Sequence, residues 1–492
     1  MRLSISVFKN RIKNNISLCV GLFIGLAVAY FVNYLNHAEE ALTFLLLAMV
    51  LFLCCVPLLV SSMAGRKLRD TDPFEPVIAF SALSFFYFVL GPILSIILKD
   101  YNIVGLEYLN KEESIRVLNT TMVFIVTGML LFYTGYYLNI PSAIAKSIPN
   151  ICINWNKSRL ILVLVASVLA GIISLTAIVI AFHGLPLLSG FSRTEIASSN
   201  LKYMLGLLLI LKVSLYVVFL DYLQVQSPSR AKTFLMFLFI CFVLFVFGSI
   251  GSRTRTFTTL IVIACIYHYA RKNLRLKTMV IVGTILLGAA VFLFPLINII
   301  YSASMIAESR FAGKEVDVAT ILESQKMMFY DKVPLIAILL KNIPDKLDLQ
   351  WGKTLPAFLS SFSPDTGLLA LPFKDENDLF MGTFFPEEFK RGVSYPISIY
   401  GVLFMNFHIT GLFGMTIFGI FWRSLYKYLK ANIRNKFVIL FYSINISYFF
   451  GFYGANLTHA LKFYIVEVVL FIFLILFISG GVFKTAEIDF KK

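Results

Sequence analysis

The sequence predicts an all-α polytopic membrane protein with about twelve transmembrane helices. Three observations support this prediction: 59% of the 492 residues are hydrophobic, only 14% are charged, and the mean hydropathy is +0.83. A soluble domain carries about 25% charged residues. Many apolar runs are also long enough for membrane-spanning helices, which need about 20 residues.

The apolar runs give approximate bounds for each helix. The first run is too long for a cleaved signal peptide and lacks a small-residue cleavage site, so we expect it to remain as a span. The twelve predicted spans are 15–36, 41–64, 76–98, 118–138, 160–183, 201–223, 233–250, 256–270, 278–300, 398–422, 437–454 and 463–483.

Lys and Arg are concentrated in the short loops on one side of these spans, which predicts the orientation. Because basic short loops stay in the cytoplasm, these loops and both termini are expected to be cytoplasmic. The net charge of +16 then reflects topology rather than binding to nucleic acid. The basic loops contain Arg66, Lys67 and Arg69; Lys157 and Arg159; Arg271, Lys272, Arg275 and Lys277; and Arg423, Lys427 and Lys430.

Three regions follow from this topology. Residues 1–300 carry spans one to nine, residues 301–397 form a long extracytoplasmic loop, and residues 398–492 carry the last three spans and a cytoplasmic C-terminus. The loop contains amphipathic pieces separated by prolines, which predict short helices over the membrane face. Five of the six cysteines lie in apolar runs and Cys152 in a cytoplasmic loop, so no disulfide is expected outside.

Two arginines interrupt the stretch FVFGSIGSRTRTFTTLIVIACIYHYA between spans seven and eight. Arg253 and Arg255 are expected just below the outer membrane surface, where a buried Arg usually faces a cavity or a partner. One interpretation is that the pair extends to lipid headgroups. The other is an anion site for phosphate, because the guanidinium is a planar fork of donors.

Further arginines and histidines are predicted near the same outer plane. Arg193, Arg310 and Arg391 are candidate ligands for a shared anion, although each alone is also an ordinary surface residue. His408 and His459 are candidate general bases. An interfacial or hydrogen-bonded histidine is the alternative for each.

The sequence contains no motif for a zinc site or for nucleotide binding. No histidine spacing matches a zinc site, and the Walker and Rossmann glycine patterns are absent, so no metal or cofactor is expected. Asp70-Thr71-Asp72 in RDTDPFEP looks like the metal-binding pair of nucleotide-sugar glycosyltransferases. We interpret it instead as a capping box, with Asp72 as N-cap, Pro73 at N1 and Glu75 at N3.

Three segments resemble the Wzy, or O-antigen polymerase, family of bacterial oligosaccharide repeat-unit polymerases. They are DKVPLIAILLKNIPDKLDLQWGKTLPAFLSSFSP, with its short helix and G-K-T-like turn; GVSYPISIYGVLFMNFHITGLFGMTIFG, with Pro396, Ser398, Asn406, Phe407, Gly411 and Gly414; and GSRTRT. One departure matters: many relatives have a Glu four residues before the Asn, where this chain has Val402. Either Glu387, Glu388 or a histidine would then have to act as base, or the reaction needs no base.

The resemblance implies a GT-C-type, metal-independent glycosyltransferase in the bacterial inner membrane. Its substrates would be undecaprenyl-pyrophosphate-linked oligosaccharides, joined on the periplasmic face. The arginines would stabilise the pyrophosphate leaving group. A chain-length-regulating copolymerase is a further candidate partner. Asn406 and Tyr395 join the candidate substrate-binding residues, and Tyr330, Trp351 and Tyr395 are placed to stack on sugars.

Two other functions compete with polymerisation. An O-antigen ligase would share the architecture and the lipid-linked donor. A lipid-linked oligosaccharide flippase would also suit twelve spans, and Lys212 is the clearest charge in the middle of a span. Transporters, however, usually show two similar halves, and this sequence shows no such repeat.

Overall fold

A computed structural model describes residues 40–63, 71–90, 92–93, 106, 108–181, 202–250, 253–281, 332–360, 374–390, 394–454, 456–480 and 483–485. These residues are mostly helical, with one pair of three-residue strands. The elements are α1 (Glu40–Met63), α2 (Pro76–Phe88), α3 (Lys111–Tyr137), α4 (Ile140–Ser147), β1 (Ile151–Ile153), α5 (Lys157–Ala181), α6 (Lys202–Gln224), α7 (Arg230–Ser249), α8 (Arg253–Ala270), α9 (Val333–Asn342), α10 (Ala357–Ser360), α11 (Glu376–Phe384), α12 (Pro386–Lys390), α13 (Ser398–Phe407), α14 (Phe413–Ala431), α15 (Lys436–Gly454), α16 (Leu457–Ser479) and β2 (Phe483–Thr485).

Eight helical stretches in the described part of the chain are long and apolar enough to cross a membrane. They confirm a polytopic helical membrane protein. Predicted span 15–36 and most of span 278–300 lie outside the described residues, so the total of twelve stays a prediction. The eight stretches are Glu40–Met63, Lys111–Tyr137, Lys157–Ala181, Gly206–Gln224, Arg230–Ser249, Ser398–Ala431, Lys436–Gly454 and Leu457–Ser479.

The chain divides into two compact units. Unit 1 consists of Met1–Ser147, Thr320–Lys427 and Phe449–Lys462. Unit 2 consists of Ile148–Ala319, Tyr428–Tyr448 and Phe463–Lys492.

Helix α3 is the central element of unit 1. Its side chains are largely buried, and α1 and α9 pack against it. Phe132 of α3 stacks on Phe80 of α2, with ring centroids 3.7 Å apart. A Cβ at Gly135 would collide with the Thr416 carbonyl oxygen, so only glycine allows α14 to approach α3 this closely.

Helix α9 differs from the surface helices that the sequence predicted for the long loop. Residues 335–339 are all fully buried, and α9 packs against both α3 and α13. Lys341 is its only exposed residue. The apolar run VPLIAILL leaves too few polar positions for a solvent-facing stripe, so the helix is covered on nearly every side.

The predicted span 398–422 is not one continuous helix. Helix α13 ends at Phe407, its C-cap His408 has a φ of +56°, and a 3₁₀ turn (His408–Leu412) precedes α14. A Cβ at Gly411 would collide with the Leu403 carbonyl oxygen. Residues eight apart in a straight helix are about 12 Å apart, so the chain folds back on itself at this turn.

The predicted capping box at Asp72 and Glu75 is wrong. Helix α2 starts at Pro76 with Glu75 as N-cap, and the Glu75 side chain makes no capping bond. Its carboxylate accepts instead from Arg423 and from the Tyr136 hydroxyl, the latter at 3.0 Å. Asp72 accepts from Tyr426 at 3.0 Å. Asp72 Oδ1 also accepts locally from the Phe74 amide at 3.0 Å, so pairing with a distant cation replaces local capping at Glu75 alone.

In unit 2, helix α6 packs against α5, α7 and α8. Strands β1 and β2 pair antiparallel, with Ile151 opposite Thr485. The Asn156 amide also donates to the Ile478 carbonyl at 3.2 Å. The segment after α16 and the segment before α5 therefore meet at one end of this unit.

Candidate functional site

In unit 1, the turn of residues 350–356 packs against the C-terminal end of α13. The Gln350 amide donates to the Met405 carbonyl oxygen at 3.0 Å. Gly352, with φ +79°, lies against the Phe407 ring. Two of the segments that carry the family resemblance, around WGKT and around the Asn-Phe pair, are thus in direct contact.

Asn406 and Thr354 form the polar part of this junction. Both side chains are fully buried. The Thr354 hydroxyl lies 3.0 Å from Asn406 Oδ1 and 2.8 Å from Asn406 Nδ2. Asn406 Nδ2 also donates to the Val402 carbonyl at 2.9 Å. Val402, at the position where the resemblance would place a glutamate, therefore contributes only its backbone carbonyl to this hydrogen-bond network.

A buried carboxyl reaches the same junction from another part of the sequence. Glu376, the first residue of α11, is fully buried and accepts from the Thr458 amide at 2.6 Å and from the Thr458 hydroxyl. The Thr458 hydroxyl also lies 3.3 Å from the Thr354 carbonyl oxygen. A continuous polar chain runs from Glu376 through Thr458 and Thr354 to Asn406, and we call it the buried polar chain.

Burial raises the pKa of the Glu376 carboxyl to about 7, although the bonds from Thr458 act in the opposite direction. The protonated form suits the geometry. Its O–H can donate to the Thr458 hydroxyl, which then donates to the Thr354 carbonyl oxygen, while the other carboxyl oxygen still accepts from the Thr458 amide. Every polar atom named in this arrangement has a partner of the right kind.

Backbone strain is concentrated around α13. Among the described residues, the non-glycine residues with positive φ are Trp351 (49°), Ser398 (62°) and His408 (56°). Two of them bound α13, and the third lies in the turn docked on its end. Residues with a Cβ rarely adopt a positive φ, and such backbone strain tends to accumulate at functional sites.

The predicted bases have unequal settings in the structure. His408 is half-buried, with its ring 4.7 Å from that of Phe404. His459 is exposed and directly follows Thr458. Glu387 is 71% exposed and paired with Lys390 at 2.9 Å. Tyr395 is buried and packs edge-on against Phe385, so in this structure its ring is not open to a sugar.

Of the predicted arginines, the structure describes one side chain. Arg255 in unit 2 is 7% exposed, and its guanidinium lies 4.7 Å above the Phe463 ring. Arg253 is the first residue of α8. Tyr330 and the arginines at 193, 310 and 391 lie outside the described residues. Trp351 is 71% exposed.

The sequence did not reveal two buried acidic residues. Glu376 lies in the polar stretch KDEND, which looks like an exposed loop, and its burial depends on Thr458, 82 positions away. Glu467 lies within an apolar helix in unit 2 and pairs with Lys212. The position of its charge inside an apolar run is the sequence signal for Glu467, as it is for Lys212.

The described residues contain no group of three or more His, Cys, Asp or Glu side chains arranged to hold a metal ion.

Comparison with known proteins gives one match. A family model described as putative O-antigen polymerase matches residues 72–310, just under half of the chain. It confirms the resemblance to this family over that range and supports a role in O-antigen polymerisation. Of the three segments quoted above, only GSRTRT lies inside the matched range. No curated protein and no solved structure matches the chain.

Proposed function

We propose that this protein, whose residues 72–310 match the putative O-antigen polymerase family, polymerises undecaprenyl-pyrophosphate-linked repeat units on the periplasmic face of the inner membrane. The family match is the observation that carries the proposal. The eight apolar helices support a membrane location for the protein.

The reaction is a glycosyl transfer without a metal or a nucleotide. The acceptor hydroxyl attacks the anomeric carbon of the donor sugar, and a new C–O bond forms. The C–O bond to the pyrophosphate breaks, and its electron pair leaves with the lipid carrier. A base takes the acceptor proton. The leaving group is already activated, so the protein must only position the groups and stabilise the charge that develops.

In unit 1, His408 is our first candidate for the base and His459 the second. His408 lies at the strained end of α13, two residues after the buried Asn406. Glu376 is a positioning residue in this account, because it fixes Thr458, the neighbour of His459. Glu387 is a weaker candidate for the base than both histidines, because its carboxylate is exposed and already paired with Lys390.

In unit 2, Arg253 and Arg255 are proposed to bind the pyrophosphate. The buried position of Arg255 supports this role, because an arginine anchored to lipid headgroups would be exposed. Substitution by Lys keeps the charge but removes the planar fork. We therefore expect Arg255→Lys to impair polymerisation, whereas a headgroup anchor would tolerate it.

Deletion of the gene separates the three candidate functions. Surface polysaccharide from the deletion strain, displayed on a gel, should show chains with a single repeat unit. Complete loss of the polysaccharide would indicate a flippase, and long chains that are not attached to lipid A core would indicate a ligase. Restoration by the wild-type gene on a plasmid is the control.

A further inference from the structure

Trp351 lies exposed on the turn of residues 350–356 in unit 1. Its side chain is 71% exposed, whereas Trp422 is buried and Trp155 is half-buried. The sequence contains only these three tryptophans. A single exposed apolar side chain is ordinary by itself, but the backbone that carries Trp351 is not.

Trp351 and Gly352 are two consecutive residues with positive φ, at +49° and +79°. The left-handed region suits Gly352, but a bulky residue such as Trp351 rarely adopts it. Backbone strain of this kind clusters at active sites and ligand clamps. Exposure and strain together make Trp351 a candidate for a ligand-binding side chain.

Contacts on both sides of Trp351 hold the turn against α13. The Gln350 amide donates to the Met405 carbonyl oxygen at 3.0 Å, and Gly352 lies against the Phe407 ring. Both partners belong to the last turn of α13. The backbone of Trp351 is thus fixed before a ligand arrives, and an indole has only two side-chain torsions to lose on binding. Such preorganisation lowers the entropic cost of binding.

The neighbours of Trp351 along the chain are polar. Asp348 and Lys353 are exposed, and Gln350 is half-buried. An exposed aromatic face beside charged and amide groups suits a ligand with an apolar face and a polar rim. A pyranose sugar has this character: its C–H groups pack on the electron-rich face of an indole. Its hydroxyls can bond to carboxylate, ammonium and amide groups.

We propose that Trp351 is the stacking platform of a sugar subsite, where the indole binds a pyranose ring of the repeat-unit oligosaccharide. Gly352 and Gln350 act as positioning residues for this platform. Of the two predicted sugar-stacking residues that the structure describes, Tyr395 is buried and Trp351 is exposed. This inference rests on the proposed function, from which the class of saccharide comes.

Lipid headgroups are the competing occupant, because tryptophan is common at membrane interfaces. Tryptophan emission of the purified full-length protein in vesicles separates the two. The Trp351 signal is the difference in emission between wild type and Trp351→Phe. The repeat-unit oligosaccharide, released from its lipid, should protect this signal from quenching by aqueous iodide. Brominated phospholipid in the vesicles should leave the signal unchanged.

Substitutions test the same claim by titration calorimetry with the oligosaccharide and by the length of the polymer. Trp351→Gly removes the ring and relieves the strained φ, so it should fold at least as well as wild type. Trp351→Leu keeps an apolar side chain that lipid accepts but has no aromatic face. Both should weaken binding about tenfold or more and shorten the polymer. Trp351→Tyr keeps an aromatic face and should bind within about threefold of wild type.

Two further variants test the positioning of the ring and serve as control. Gly352→Ala keeps the indole, but its Cβ would lie 3.3 Å from the Phe407 ring at a φ of +79°. It should weaken binding by displacing the platform. Tyr108→Leu is the matched control, because Tyr108 is also exposed in unit 1 but has the Lys346 ammonium 5.1 Å above its ring. It should bind the oligosaccharide and polymerise normally.

The outcomes separate this inference from the proposed function. Quenching by brominated lipid, with normal polymer from Trp351→Leu, would assign Trp351 to the membrane interface and overturn the sugar subsite while the polymerase stands. Normal oligosaccharide binding by Trp351→Gly would overturn the subsite as well. Protection of Trp351 by the oligosaccharide, without any polymer from wild-type protein and lipid-linked units, would keep the subsite and contradict the polymerase.

Discussion

His408 combines a chemical group with an unusual backbone conformation. Its φ of +56° lies in the left-handed region that favours glycine. His408 is also the first titratable residue that follows Asn406 in the sequence. This strained backbone at a titratable side chain is the observation that makes His408 our first candidate for the base.

We therefore expect His408→Gln to produce chains with a single repeat unit at a normal protein level. Gln keeps polarity and approximate size but removes the titratable base, and general base catalysis typically contributes about 10²–10⁴-fold in rate. His408→Gly is the matched second variant, because it relieves the strain and should fold at least as well. Full-length polymer from both variants, read on a gel, would exclude the imidazole from the mechanism.

Glu376 predicts a pH dependence of stability. Its pKa is raised from 4.5 to about 7 in the folded protein, so folding favours the protonated form. Stability contributed by this group is complete below about pH 4.5 and falls as the pH rises to 7, by on the order of 3 kcal/mol. Glu376→Gln reproduces the protonated carboxyl and should flatten this dependence of the thermal midpoint.

Glu387→Gln is the control for that experiment, because the Glu387 carboxyl is exposed and paired on its own helix. Its pH dependence should equal that of wild type. An unchanged pH profile in Glu376→Gln would mean that the Glu376 carboxyl has the same pKa in the folded and the unfolded protein, contrary to the raised pKa and the protonated hydrogen-bond arrangement described above.

Elements were predictable wherever hydropathy alone decides the structure. The long apolar runs identified seven spans that the structure contains as continuous helices, and the stretch Ser398–Ala431, which is broken. The break at His408 was not predictable, because the apolar pattern continues across it and the fold-back depends on the close approach of Gly411 to Leu403. The burial of α9 was missed for a similar reason: a short apolar helix does not reveal whether it packs on lipid headgroups or on other helices.

At the scale of the elements, the contact between the turn at residues 350–356 and α13 can be tested by a substitution. Thr354→Val keeps the shape of the side chain but leaves Asn406 Oδ1 without its hydroxyl partner. An unsatisfied buried polar group costs about 1–3 kcal/mol, so we expect a lower thermal midpoint and shorter polymer. Thr120→Val is the control, because the Thr120 hydroxyl is exposed and bonds within its own helix. Equal midpoints for the two variants would contradict this role of the buried polar chain.

At the scale of the whole molecule, the predicted topology places the long loop outside. The pairing of β1 with β2 puts the segment before α5 and the segment after α16 on one side, and the basic loops predict that this side is the cytoplasm.

A single cysteine at Ser363, in a variant without the six native cysteines, should react with an impermeant maleimide in spheroplasts with intact inner membranes. A cysteine at Lys272, in a loop predicted to be cytoplasmic, is the control and should react only after lysis. The reverse pattern would invert the topology and move the proposed reaction to the cytoplasmic face.

The central claim is that this chain alone joins lipid-linked repeat units. The most direct measurement is a reaction of the purified protein, reconstituted in vesicles, with undecaprenyl-pyrophosphate-linked single repeat units in the presence of EDTA. Our account predicts a ladder of products that increase by one repeat unit, with loss of the ladder in Arg255→Met. Unchanged single units with wild-type protein that is folded and inserted would contradict it, and a ladder that required added Mg²⁺ or Mn²⁺ would contradict the metal-free mechanism.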